Sequence, residues 1–203
     1  MNIAVIGWGS LIWCPGSLRI KTKWRMEGPA LPIEFARISE DGRLTLVIHP
    51  NSAPQQTYWA LSELTELEAA RRNLQEREGC PLGKIRSFPV GGAEEEVPRT
   101  VAAELDAWLA KHEDIEAVIW TGLTTNWNEK FQMEFSPDDA VHYLEKLDAE
   151  PKQTRLTYER AREYVRNTPS SIQTEVRTKM REKGWTDAKL SDLLFETETR
   201  HKG

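Results

Sequence analysis

The stretch Ile3–Trp13 reads IAVIGWGSLIW, and it decides the fold of this chain more than any other segment. The apolar run at its start predicts a buried β-strand over Asn2–Gly7. Residues 7–10 (GWGS) then break the run, and glycine in such a break allows a tight turn and a close approach to the backbone. Successive amide N–H groups of a turn of this kind can converge on an oxygen anion. The stretch therefore predicts a loop that binds a small molecule at the end of a sheet.

The composition is typical of a globular protein with one core: the chain has 203 residues, 39% of them hydrophobic and 29% charged. A net charge of −5 argues against a nucleic-acid-binding surface. Because there is no run of about 18 apolar residues and no basic, cleavable leader, neither a membrane span nor a signal peptide is expected. Two cysteines, Cys14 and Cys80, are too few for a disulfide framework and favour a reducing, cytoplasmic compartment.

Apolar periodicity predicts strands first and mostly helices later. The predicted strands are Asn2–Gly7, Leu31–Ile38, Arg43–His49, Thr57–Leu61, Lys84–Val90 and Glu116–Gly122. The predicted helices are Ser62–Glu78, Thr100–His112, Ser136–Asp148, Thr154–Arg166 and Thr168–Lys183. Strands and helices do not alternate regularly, so the fold class is α+β and a doubly wound parallel sheet is disfavoured.

Local signals define several turns and helix ends. Asp41-Gly42 indicates a hairpin between the second and third strands. Thr65 with Glu68 fits a capping box, and Gly79 fits a helix stop. Ser136 before a proline and two aspartates is a strong helix start, whereas residues 50–54 are expected to form a loop.

Several common site motifs are missing from the sequence. Gly7-Trp8-Gly9 matches the start of the dinucleotide-binding fingerprint GxGxxG, but the third glycine of that fingerprint would have to stand where this chain has Ile12, so the match fails. There is no phosphate-binding GxxxxGK[ST] motif, and the four histidines show no metal-ligand spacing. Cys14 precedes a proline and has no evident histidine partner, so a buried structural thiol is favoured over a nucleophile.

The second informative stretch is NLQEREGC, residues 73–80. Glu78 lies in the last turn of a predicted helix, where the helix dipole disfavours a carboxylate by about 0.3–1 kcal/mol. It is therefore either an ordinary exposed glutamate or a general base whose pKa is raised toward neutrality by burial and by the dipole. Arg77 would oppose that rise if its side chain reached Glu78.

Together the two stretches resemble a known family. GWGSL at residues 7–11 resembles the Gly-Tyr-Gly-Ser-Leu signature of the γ-glutamylcyclotransferase-like superfamily, which includes the ChaC-type glutathione-degrading enzymes. In that family a later glutamate in an Arg-Glu or Glu-Gly context is the catalytic acid/base, and Arg77-Glu78-Gly79 supplies both contexts. The resemblance covers residues 2–125. It departs at Trp8, where the family has tyrosine, and at Leu82-Gly83, where the family has Gly-Tyr.

The resemblance implies both a fold and a reaction. The fold is a mixed β-barrel or sheet with inserted helices over residues 1–125, with a helical C-terminal extension over 126–203 packed on the same domain. The reaction is intramolecular aminolysis of a γ-glutamyl compound, an acyltransferase or lyase step that releases 5-oxoproline and an amine and needs no cofactor or metal. Glu78 would be catalytic, and the residues that bind the small-molecule substrate would be Gly7, Trp8, Gly9, Ser10 and Leu11.

Other interpretations of these residues stay open at this point. Trp8 and Trp13 also fit plain core positions, and Ser10 fits a simple turn. Thr121 and residues 124–126 either line the pocket or, as is favoured, form a polar loop. The chain could also bind a small molecule without turnover, as a regulatory protein of the same fold.

A last open question concerns the C-terminal helices. Ile172, Val176, Met180 and Trp185 form an apolar stripe that suits either a partner surface, such as a homodimer interface, or packing on the chain's own sheet. Packing is favoured.

Overall fold

The computed structural model describes residues 1–89, 97–149, 160, 161 and 163–184, and within them the chain is a mixed α+β protein. The strands are β1 (Ile3–Gly7), β2 (Ala30–Ile38), β3 (Leu44–Ile48), β4 (Pro54–Gln56), β5 (Tyr58–Leu61), β6 (Ile85–Phe88) and β7 (Ala117–Thr121). The helices are α1 (Leu67–Glu78), α2 (Arg99–Leu109), α3 (Trp127–Phe131), α4 (Pro137–Ala149), α5 (residues 163–167) and α6 (Glu175–Glu182). The α+β expectation is confirmed.

The described strands form two sheets. The first has the order β5-β1-β7-β6, in which only β1 and β7 run parallel, and the second has the order β3-β2-β4. They do not close into the barrel that the family resemblance allows. One reason is that the edge strand β5 is covered by the connection before β2, where Arg25 and Trp59 exchange two backbone hydrogen bonds of 2.9 Å.

The first sheet is buried on both faces, because alternate residues of β1 enter different cores. Ile3 and Val5 pack with α1, whereas Ala4 and Ile6 join a larger core that contains the second sheet and the C-terminal helices. The larger core includes Ile172, Val176 and Met180, so packing on the chain's own sheets is the correct interpretation of that stripe. Trp185 lies outside the described residues.

The predicted strands are all present, with small differences at their ends, and β4 and α3 are additional elements. Gly42 has the positive φ of 79° that the predicted hairpin turn needs. The predicted capping box is wrong: α1 starts at Leu67, and its N-cap is Glu66 without a side-chain hydrogen bond. The chain cannot turn helical at Ser62, because the Ser62 amide still donates to Ile3 of β1 at 2.8 Å.

The last helix also begins later than expected, at Glu175 with Thr174 as its N-cap. The reason is the buried guanidinium of Arg177, which donates hydrogen bonds to the carbonyl oxygens of Thr168, Pro169 and Ile172 and so holds those residues in a turn. Ser136 does begin α4, since its hydroxyl accepts from the Asp139 amide at 3.2 Å. In the predicted helix at 154–166, residues 154–159 lie outside the described part.

Across the described segments, no helix is both long and apolar enough to span a membrane.

Candidate functional site

The loop after β1 and the end of α1 face one cavity of about 190 Å³. All five predicted binding residues line it, and Glu78 lies in the same wall. The predicted binding residues are Gly7, Trp8, Gly9, Ser10 and Leu11. Two features of the fold bring these groups together. The parallel strands β1 and β7 end at the same edge of the sheet, and α1 ends beside that edge at Gly79, whose φ is 63°.

Glu78 is not an ordinary exposed glutamate, because its side chain is only 17% exposed. Burial raises the pKa of its carboxyl above the usual range, while the charge of Arg77 and the nearby Thr121 hydroxyl act in the opposite direction. Thr121 Oγ1 is itself buried and, in the described part of the chain, has no hydrogen-bond partner within normal geometry. The net effect is a carboxylate with increased proton affinity facing a cavity.

Arg77 connects this carboxylate to the loop. One guanidinium nitrogen, Nη1, donates to Glu78 Oε1 at 2.7 Å. The other, Nη2, donates to Ser10 Oγ at 3.1 Å and to the Cys14 carbonyl at 2.6 Å. The same side chain therefore positions the end of α1 against the loop and reduces the pKa increase at Glu78.

The loop itself is a buried, hydrogen-bonded turn. The Ile12 amide donates to the Gly9 carbonyl at 3.0 Å, and the Cys14 amide donates to the Ser10 carbonyl at 2.8 Å. Within the described segments, neither the Gly9 amide nor the Leu11 amide donates to a protein acceptor. Donors fixed in this way suit an oxygen that gains negative charge.

Trp8 is part of both the hydrophobic core and the cavity wall. It is 6% exposed, and its indole Nε1 donates to the Leu46 carbonyl at 3.3 Å, which fixes the loop to β3. The core interpretation of Trp8 is thus correct, and the same ring also forms part of the cavity wall.

The charged groups of the cavity wall are mainly cationic. Arg37, Arg43 and Arg77 line it together with one carboxylate, Glu78. Arg37 is held by a 2.8 Å hydrogen bond to the Thr124 carbonyl, and Arg43 is held by Asp41 at 2.9 Å. This arrangement favours a small ligand that carries an anionic group and an ammonium group, with the ammonium beside Glu78.

Sequence reasoning missed Arg37, Arg43 and above all Tyr164 of α5. Tyr164 is only 7% exposed, its ring packs edge-on against Trp13 at 5.3 Å, and it reaches the cavity from the C-terminal helices. Burial raises the pKa of its hydroxyl to about 12. No local pattern identifies such a residue, because its neighbours in the cavity are distant in sequence.

Thr121 lines the cavity. Residues 124–126 form a polar loop after β7, which is the interpretation that the sequence favoured for them. The Asn126 side chain pairs with the backbone of Ile38 in both directions, at 3.0 and 2.8 Å, so it is structural.

A second cavity, of about 690 Å³, adjoins the first and shares Ser10, Arg43, Arg77 and Tyr164 with it. We call the first the inner cavity and the second the outer cavity. Cys14 lines the outer cavity with an exposed thiol, so the expectation of a buried structural thiol is wrong for Cys14. The physical reason is that Cys14 follows the turn of the loop and lies at the surface, outside both hydrophobic cores.

In the described part of the chain, no three side chains of the kinds that ligate metals come together. Comparison of the chain with protein-family models, with curated proteins and with solved structures found no match. The chemistry of the inner cavity therefore carries the functional inference.

Proposed function

We propose that this chain catalyses intramolecular aminolysis of a γ-glutamyl compound and releases 5-oxoproline and an amine. The observation that carries the proposal is the partly buried carboxyl of Glu78, whose pKa is raised and which shares a small cavity with the loop at residues 7–11. No cofactor or metal enters the reaction.

The reaction needs a proton carrier at the attacking nitrogen. The α-ammonium group of the γ-glutamyl compound loses a proton to Glu78, and the neutral amine attacks its own γ-carbonyl carbon. A C–N bond forms to close the five-membered lactam. The bond to the leaving nitrogen then breaks as Glu78 returns its proton to that nitrogen. The second proton of the attacking nitrogen also passes through Glu78 to the released amine, so that the products are the neutral lactam and an ammonium ion. A carboxylate with increased proton affinity suits both steps, because its pKa lies closer to the operating pH.

The reaction also needs the γ-glutamyl chain to be folded so that its two ends meet. The inner cavity has a volume of about 190 Å³. Sites for drug-sized ligands have volumes of about 300–1,000 Å³, so the inner cavity suits a smaller group, the size of one amino acid. Arg37 and Arg43 offer a place for the α-carboxylate, and the amides of Gly9 and Leu11 offer donors to the carbonyl oxygen. The released amine has room in the outer cavity.

The test is to incubate the protein with glutathione, γ-glutamyl peptides and γ-glutamylamines and to measure 5-oxoproline. We expect Glu78→Gln to lower kcat by at least about 100-fold, because it removes the proton carrier. The variant should fold. Burial disfavours the charged form of Glu78, which is why its pKa is raised, and the neutral glutamine side chain avoids that cost.

Glu68→Gln is the matched control, because Glu68 lies on the same helix with its side chain 53% exposed and outside both cavities. It should leave turnover unchanged. A folded Glu78→Gln protein with full turnover would contradict the proposal.

A second candidate function is binding of the same small molecule without turnover. It is favoured by the 2.7 Å contact between Arg77 and Glu78, which stabilises the carboxylate and so opposes uptake of a proton. Thermal stabilisation of the protein by γ-glutamyl compounds, with no 5-oxoproline formed, would identify this function.

A further inference from the structure

Among the described residues of the C-terminal helices, Tyr164 alone lines both cavities of the site. Its ring is held on two sides, edge-on against Trp13 at 5.3 Å and against Phe35 at 6.3 Å. Because the ring is fixed and 93% of the residue's surface is covered, the hydroxyl group has a defined position at the junction of the two cavities. Such a fixed donor costs little entropy when a ligand arrives.

The hydroxyl lies directly against the loop. A Cβ atom built on Gly9 would overlap the Tyr164 hydroxyl oxygen. Burial has the largest effect on the pKa of this hydroxyl and raises it, while the nearby backbone of Leu46 and of Ser10 lowers it. Gly9 is therefore required here for space, since any side chain would push Tyr164 out of the loop.

The charge state of Tyr164 is also fixed. Burial raises its pKa to about 12, so the phenol stays protonated at neutral pH and keeps its O–H as a donor. A neutral donor in a water-poor wall is the kind of group that stabilises developing negative charge on a ligand oxygen.

We propose that the Tyr164 hydroxyl donates a hydrogen bond to the γ-carbonyl oxygen of the bound γ-glutamyl group and stabilises that oxygen as the amine attacks. This inference rests on the proposed function. Tyr164 gives up no proton in the step: its hydrogen bond shortens as charge develops and relaxes when the leaving amine departs. The site is thus completed by α5, outside the region that carries the family resemblance.

The first test is Tyr164→Phe, which keeps the ring contacts with Trp13 and Phe35 and removes only the hydroxyl. We expect kcat for 5-oxoproline formation to fall by about 100-fold, as for loss of one oxyanion donor. KM should change by less than about threefold, because the bond strengthens mainly in the transition state. Tyr58→Phe is the control: Tyr58 lines neither cavity, and its hydroxyl contacts Ser171 at 3.1 Å.

A second test examines the contact between Gly9 and Tyr164 without using activity. Gly9→Ala should lower the thermal midpoint strongly when residue 164 is tyrosine and much less when it is phenylalanine, because the overlap is with the hydroxyl oxygen. Equal losses of midpoint in the two backgrounds would overturn the placement of the hydroxyl against the loop.

The third test separates this inference from the proposed function. In the Glu78→Gln protein, which should bind without turnover, a γ-glutamyl amide is titrated by calorimetry with tyrosine or phenylalanine at residue 164. Phenylalanine should raise Kd by only about twofold, in line with the small expected change in KM. If the wild-type protein forms no 5-oxoproline, the proposed function fails; if Kd and kcat are the same with either residue, the hydrogen bond from Tyr164 is excluded.

Discussion

At the scale of single residues, the charge of Glu78 depends on two neighbouring effects of opposite sign. Partial burial disfavours the carboxylate and raises its pKa, and the guanidinium of Arg77 favours the carboxylate and lowers it. Burial is the larger effect. Arg77 therefore limits how far the proton affinity of the base can rise, while it also fixes the loop through Ser10 and Cys14.

Replacing Arg77 by methionine should raise the pKa of Glu78 further, because the guanidinium that contacts the carboxylate and lowers its pKa is removed. A general base works only when deprotonated, so kcat/KM rises with pH through this pKa. We expect the acid limb of the kcat/KM profile to move to higher pH in Arg77→Met, measured between about pH 4 and pH 9.

Arg72→Met provides the control, because Arg72 is 64% exposed and contacts Glu68, away from the site. An acid limb at the same pH in wild-type and Arg77→Met proteins would show that Glu78 is not the titrating base.

At the scale of elements, the end of α1 determines where Glu78 points. Gly79 has a φ of 63° and donates its amide to the Gln75 carbonyl at 2.9 Å, which ends the helix one residue after Glu78. A residue with a side chain is strained in this conformation. The orientation of the carboxylate therefore depends on a helix cap.

Gly79→Ala should reduce the free energy of unfolding by about 1–2 kcal/mol, the cost of a left-handed residue that has a Cβ. The space around Gly79 is open, so the loss comes from the backbone alone. Urea unfolding measures it, and turnover should fall as the end of α1 shifts. Gly83→Ala is a matched control, because the space around Gly83 is also open but Gly83 has no positive φ. Equal losses of unfolding free energy in the two variants would contradict the assignment of the loss to the left-handed backbone of Gly79.

Elements with a strong local signal could be predicted from the sequence. Every described strand except β4 follows from an apolar run. The end of α1 follows from Gly79, and the start of α4 follows from Ser136. The cavity formed by the loop and Glu78 could be anticipated only through the family resemblance. Tyr164 and the late start of α6 could not be, because they depend on contacts between distant segments, such as Arg177 with Thr168 and Pro169.

At the scale of the whole molecule, the two cores are joined by the first sheet, which contributes one face to each. β1 is central here, since it pairs with both β5 and β7 and supplies apolar side chains to both sides. A disturbance in either core therefore reaches the other through the same strands, and the described parts should unfold together.

Leu74→Ala removes a fully buried side chain from the core beside α1, and Met180→Ala does so in the larger core. Each should cost about 2–5 kcal/mol. We expect one shared unfolding transition in both variants when tryptophan fluorescence and far-ultraviolet circular dichroism are followed together.

Met133→Ala is the control and should change little, since Met133 is 41% exposed. Separate transitions for the two probes would show that the two cores unfold independently.

The residues that line the inner cavity come from distant parts of the chain, and this has a consequence for biosynthesis. When β7 has just emerged from the ribosome, the nascent protein already contains the loop, Glu78 and all the described strands of both sheets. It still lacks Tyr164, which the cavity receives only after α3 and α4 have been made. The inner cavity is thus completed late in translation, when the helix that carries Tyr164 has docked.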